Sequence, residues 1–361
     1  MRSPIEKRMI PLEILSAIFL LTLIVFGVRP AFSADRDFSL TIDEVSIRVA
    51  PDLTFNTFAF DGQVPGPLIH VREGDHVTVH VTNNTSLPHT IHWHGINQSH
   101  GNWKMDGVPM VTQEAIAPGD TFTYRWMAER SGTLWYHCHV NVNEHVAMRG
   151  MWGPIIIDPK HPSKLEKKVD RDFIFMYSSW ESPYAHHYGR GGGPRDEADY
   201  WSVNGKSFPL DMPVRVRKGE IVRFHFIGAG DAFHEIHLHG HDMLIVRKDG
   251  YPLPHPYYVD TILVGPGERY DAIIRMNNPG RFVMHDHVDK HMTNGGKEMG
   301  GPMTVIEYDG IPKESWYVWK DKDKTYDPDF FYQQSMKKGY GIFTNPRFKG
   351  SSIDETTHHQ G

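Results

Sequence analysis

Polar and apolar residues alternate in short runs along most of the chain, as in FSLTIDEVSIRVA at 38–50 and DHVTVHVTN at 75–83. A period of two sends successive side chains to opposite faces, so each run reads as a half-buried strand. The PG, DG and NN pairs between runs supply turns. RDFIFMY, PVRVRKGEIVRFHFI and YDAIIRM carry the same style from 171 to 276, and no long helical periodicity competes with it. The pattern predicts an all-β chain of antiparallel sandwiches or barrels.

The order of the runs repeats too. VREGDHVTVHVTN, HTIHWHGI, GTLWYHCHV and GMWGPIIID in the first half correspond to VRKGEIVRFHFIG, HEIHLHGH, GRFVMHDHV and GGPMTVIEY in the second. A duplicated β-domain follows, over residues 37–158 and 169–308. Residues 159–168 read as a polar linker, 186–197 with GRGGGPRDE as a flexible insertion, and 309–361 as a tail without a sheet pattern.

Composition narrows the function. With 39% hydrophobic residues, 361 residues can bury a core in each of two domains. A net charge of -6 gives no attraction to phosphate backbones, which argues against a nucleic-acid partner. Residues 1–33 place Arg2, Lys7 and Arg8 before an apolar run from Leu15 to Val28 and a small-x-small site at Ala31-Phe32-Ser33. This reads as a Sec-type signal peptide and predicts export to a periplasmic or extracellular location, an uncleaved anchor being the alternative. Exported chains commonly form disulfides, yet the chain has one cysteine and cannot form one internally.

That cysteine lies in WYHCHVNVNEH, between His137 and His139. On a strand the two imidazoles face one way and the thiol the other, so one segment can serve two metal sites. On the sulfur side, Cys138 with His89, His145 and a weak thioether matches the soft ligand set of a blue-copper centre. Met151, at the start of the next strand, is the preferred axial ligand and Met148 its rival. On the other side stand four His-x-His pairs: His92 and His94, His137 and His139, His237 and His239, His285 and His287. Eight imidazoles on four strands suffice for three metal ions.

With these motifs the chain, from about Asp37 to Glu307, resembles a two-domain multicopper oxidase of the small-laccase-like group, and more distantly copper nitrite reductase. The resemblance rests on HTIHWHGI, MDGVPMVTQ, WYHCHVNVNEHVAMRGMWG, HEIHLHGH and MHDHV. It implies two tandem cupredoxin-like Greek-key β-sandwich domains and four coppers per subunit, one type 1, one type 2 and two type 3. By motif position His92 and His237 would hold the type 2 copper, and His94, His137, His139, His239, His285 and His287 the type 3 pair. Asp286 stands where Cys138 does in the first half, so the second domain should lack a blue centre although His234 matches His89. The resemblance further implies a homotrimer in which each cluster forms between subunits.

The implied reaction is laccase-like: one-electron oxidation of a donor at the type 1 copper, coupled to four-electron reduction of dioxygen to water. Asp106 in MDGVPMVTQ matches the acidic residue that the family places beside the cluster, and is the candidate catalytic proton relay. The donor stays open among a phenol, a metal ion, a small nitrogen compound and a redox protein. Two alternatives are a nitrite reductase and a non-catalytic copper-binding or electron-transfer protein. Against the first, His92 and His139 stand where nitrite reductases carry aspartate and, commonly, alanine. His76 and His80 share a solvated strand face, while His186, His187, His358 and His359 fall in loop or tail. His241 follows HLHG closely enough to support the ligands.

Overall fold

The computed structural model describes residues 33–318 apart from 148, 183–197 and 212. The signal segment, Met148, the 186–197 insertion and all of the tail beyond 318 therefore lie outside the described residues. No helix among those described is long and apolar enough to cross a membrane.

The chain is nearly all β, as its alternation predicts. The first sandwich faces a sheet of β1 (Asp35–Ala50), β2 (Leu53–Phe60), β4 (His76–Asn83) and β6 (Thr121–Met127) against one of β3 (Ile69–Arg72), β5 (His92–His94), β7 (Gly132–His137) and β8 (Trp152–Asp158). In β4 the period of two is literal: Val77, Val79 and Val81 are buried while His76 and His80 are exposed. Each such valine withdraws apolar surface worth about 1.5–3 kcal/mol from water. Trp93 of β5 sits at the centre, with ring centroids of Tyr124, Trp126 and Tyr136 at 5.3, 5.6 and 5.8 Å.

The second sandwich has a six-stranded sheet of β9 (Arg171–Trp180), β10 (Tyr200–Val203), β12 (Ile221–Gly228), β14 (Met243–Lys248), β15 (Tyr251–Val259) and β17 (Arg269–Arg275). Opposite it lies a five-stranded sheet of β11 (Val214–Val216), β13 (His234–Leu238), β16 (Thr261–Val264), β18 (Arg281–Asp286) and β19 (Met303–Tyr308). Phe173, Phe175, Phe224, Phe226, Ile236 and Leu238 fill the space between.

Strand β7 is buried on both faces, because its outer face meets the second sandwich. Thr133 bonds His225 of β12 at 2.7 Å and also bonds Asp271 of β17. Gly132 lies so close to the β14–β15 turn that a Cβ on it would sit 2.6 Å from the Cα of Gly250. The polar segment 159–168 is no free tether: it ends in a 3-10 turn whose Glu166 is buried and accepts Arg247 Nε at 2.8 Å.

Candidate metal centres

Three elements converge on the sulfur. Cys138 directly follows β7, His89 precedes β5, and His145 ends the short helix α1 (Val142–His145). Cys138 Sγ lies 3.6 Å from His89 Nδ1 and 3.5 Å from His145 Nδ1, and all three residues are buried. An ion held tetrahedrally by one thiolate and two imidazoles spaces sulfur and nitrogen by about 3.6 Å. The donor atoms are also free to bind. Thr85 Oγ1 lies 2.9 Å from His89 Nε2, which holds the ring proton there and leaves Nδ1 open. Val140 N–H points at the sulfur from 3.4 Å and favours its anionic form.

The cost of burying these groups shows in their pKa values. Burial, then the neighbouring His145, brings His89 down to about 3, and burial pushes the Cys138 thiol up to about 11. A soft cation offsets both by binding neutral imidazole and thiolate. The sulfur and the two imidazoles therefore fit copper. Met151 is buried beside them, its carbonyl accepting Cys138 N–H at 3.1 Å and its N–H donating to His145 O at 3.1 Å. Phe58, which the motifs did not single out, packs edge-on with its ring centroid 5.0 Å from that of His89 and 5.4 Å from that of His145.

On the opposite face of the same strand end, His92 pairs with His137 across β5 and β7. Its ring lies 5.2 Å from that of His137, 5.6 Å from His94 and 5.5 Å from His139. His92 Nδ1 donates to Asp106 O at 2.8 Å and His137 Nδ1 to Cys138 O at 2.8 Å, so in both rings Nε2 is the nitrogen left to bind. Asp106 Oδ1 stands 3.4 Å from His92 Nδ1, with the side chain 32% exposed. Gly107 allows this approach, since a Cβ there would sit 1.9 Å from Ile91 O.

The second sandwich builds a matching quartet on β13 and β18. His237 pairs with His285, and the His285 ring lies 5.2 Å from that of His239 and 5.6 Å from that of His287. His237 Nδ1 donates to Asp260 O at 3.0 Å and His285 Nδ1 to Asp286 O at 2.7 Å, which leaves Nε2 as the nitrogen without a ring proton; that of His285 lies 3.1 Å from His239 Nε2. Among the described residues no ring contact joins the two quartets. His241 supports the second from behind, with Nε2 2.6 Å from Tyr308 Oη and Nδ1 3.2 Å from His239 O.

A third cluster joins Asp286 to His234 and to His291, a residue that motif matching missed. Both Nδ1 atoms face Asp286 Oδ2, at 2.7 and 2.8 Å. Burial pushes the pKa of this carboxyl up, but the hydrogen bonds from His234 and His291 outweigh that and hold it well below the usual carboxylate range.

Two family models described as multicopper oxidase match residues 42–162 and 177–304. Laccase-2 of Botryotinia fuckeliana is 33% identical over 278 residues, covering 70% of this chain and 45% of the relative. Among solved structures, the multicopper oxidase mgLAC is 63% identical with a TM-score of 0.79, covering 88% of this chain and 99% of its own. The blue copper oxidase of Nitrosomonas europaea is 56% identical with a TM-score of 0.79, covering 88% of this chain and 100% of its own. The chain thus spans about half the length of the curated laccase it matches, and the full length of these two structures.

Proposed function

The chain belongs to the multicopper oxidase family, and on that premise we propose that it oxidises a donor in one-electron steps and reduces dioxygen to water, a laccase-like reaction. One observation carries this reading: the Nδ1 atoms of His89 and His145 close on Cys138 Sγ at copper-fitting spacing, on the strand end whose other face presents His137 and His139. Bound copper supplies electron acceptance from the donor at the thiolate centre and four-electron reduction of dioxygen at a three-copper cluster.

The chain's own residues supply the rest. Cys138, His145, His89 and Met151 make the type 1 site. The peptide bonds from Cys138 to His137 and His139 make a short covalent path to the cluster. His92 and His237 are assigned to the type 2 copper, and the other six imidazoles to the type 3 pair, four coppers per subunit in all. Asp106 Oδ1, near His92 and partly exposed, takes a proton from water and releases it toward the cluster. The domains run over 37–158 and 169–308, after a signal peptide that directs export.

Each quartet is half of a cluster, and the halves belong to different sandwiches. By analogy with the two-domain multicopper oxidases that the chain resembles, we assign assembly to a homotrimer in which the second sandwich of one copy faces the first of the next, a heterologous contact that closes as a ring. Trp103, Met110 and Val111, in the loop around Asp106, are exposed and give the first quartet an apolar rim for that contact.

Copper analysis with paramagnetic counting and oxygen uptake on a phenol panel tests the reading. About four coppers per subunit and oxygen consumed against oxidised donor support it. Two coppers per subunit with nitrite consumed instead supports the nitrite reductase reading. Full loading without turnover on any reductant supports an electron-transfer role.

A further inference from the structure

In the second sandwich Asp286 matches Cys138, Pro302 matches Met151, and Gly230 matches Thr85. The backbone fixes the second match: Asp286 N–H donates to Pro302 O at 3.3 Å as Cys138 N–H donates to Met151 O at 3.1 Å. Each substitution removes one requirement of a blue-copper site, namely the soft thiolate, the axial thioether and the partner that holds a histidine proton on Nε2. His234 Nε2 is buried without a hydrogen-bond partner among the described residues, so a metal on Nδ1 would leave a buried N–H unsatisfied there. The spacing agrees. An ion held by a carboxylate and two imidazoles separates oxygen from nitrogen by about 3.4 Å in tetrahedral geometry. The 2.7 and 2.8 Å separations at Asp286 are those of charge-assisted hydrogen bonds.

The carboxylate divides the two vacated roles between its oxygens. Cys138 Sγ receives Val140 N–H, two residues on; Asp286 Oδ1 receives Val288 N–H, two residues on, at 3.0 Å. Oδ1 also takes Glu235 N–H from β13 at 3.1 Å. Oδ2 gathers the two imidazoles, as a bound ion would gather His89 and His145 in the first sandwich. The backbone on either side carries cluster histidines: His285 and His287 flank Asp286, and His237 and His239 follow Glu235. His287 N–H completes the tie by donating to Glu235 O at 2.7 Å.

We propose that Asp286 is a positioning residue: by holding His234, His291 and two main-chain amides it fixes β13 to the end of β18, so that the second imidazole quartet is aligned without a metal at its back. This rests on the oxygen-reducing reading above, and its test reads metal affinity apart from turnover. The trimeric, copper-loaded protein and its Asp286→Asn and His291→Gln variants are titrated with a copper chelator, following blue absorption and copper per subunit together. Cluster copper is expected to bind about 10–100-fold more weakly in Asp286→Asn, the usual cost of losing an outer-shell partner, and less so in His291→Gln. Type 1 copper affinity stays unchanged in both, and oxygen kcat falls while donor KM holds. Unchanged cluster affinity in both variants overturns the proposal. So does a fifth metal ion in the parent that Asp286→Asn loses while the cluster stays full. A parent that binds only its type 1 copper and consumes no oxygen instead defeats the reading of function, whatever the variants do.

Discussion

The first sandwich sets Cys138 between His89 and His145; the second sets Asp286 between His234 and His291, on the matching strand end. The imidazoles in the first stand off from the sulfur by 3.5 and 3.6 Å, and in the second they close on oxygen at 2.7 and 2.8 Å. Ring protons move with the ligand. Thr85 holds that of His89 on Nε2, whereas His234 carries its proton on Nδ1, against the carboxylate. On the proposed reading, the two sandwiches each keep an imidazole pair, and the residue between them decides whether a metal or a hydrogen-bonded carboxylate fills the gap. The contrast also shows why the far side survives in both halves. His-x-His points away from the central residue, so the quartets tolerate either filling.

The largest expected effect comes from deleting the sulfur. Cys138→Ser should abolish the blue absorption and bring donor-driven oxygen uptake to background, while copper on the imidazole quartets persists by metal analysis. A variant that respires as fast as its parent would separate the strand end from electron entry.

Converting the second centre toward the first is the next test. Asp286→Cys alone should stay colourless, because His234 still lacks an Nε2 partner and Pro302 supplies no thioether. It should also lose roughly 3 kcal/mol of stability in denaturant titration, as two buried imidazole N–H groups lose a charged acceptor. A blue product would show that the thiolate alone decides the matter. Gly230 limits further conversion, since a Cβ there would sit 3.0 Å from Ser179 N and 3.2 Å from Ser178 Cα.

A smaller effect should follow from the reverse change. Thr85→Val removes the group that holds the His89 proton and should weaken type 1 copper binding by about tenfold or more. Cluster loading should be unaffected, as chelator competition can show. Equal affinity would mean that the tautomer is set by the metal itself.

Much of this contrast was legible in the chain, because strand alternation and His-x-His are local. Val77, Val79 and Val81 face inward as their spacing predicts, and Cys138 meets His89 and His145. His291 was not legible: it follows Asp286 by five residues, whereas His145 follows Cys138 by seven, and its place is set by stacking on Trp201 at 4.7 Å. Glu166 escaped for a similar reason. Nothing within 159–168 shows that Arg247, some eighty residues on, will reach it.

The smallest expected effect concerns the buried contact that fixes the first sandwich to the second. His225 of β12 places Nδ1 3.0 Å from Asp271 of β17 and Nε2 3.1 Å from Asp172 of β9, with Thr133 of β7 at 2.7 Å. Arg223 bonds Asp172, while Arg247 of β14 stands between Glu166 and Asp271, so every packed element brings a charge or a hydroxyl. Burial alone would lower the basicity of His225, but the Asp271 charge and the bonds to both carboxylates raise it above the ordinary value despite the opposing Arg223. A histidine that binds its proton more tightly when folded adds stability that is full below the unfolded value of about 6.5 and fades as pH rises through the folded one. Melting of the metal-free protein should therefore show a falling contribution above neutrality that His225→Gln removes. The blue centre, read in copper-loaded samples at the same pH values, should keep its absorption, because Cys138 follows the opposite end of β7 (Gly132–His137) from Thr133. Loss of colour in step with melting would mean instead that the interface and the centre open together.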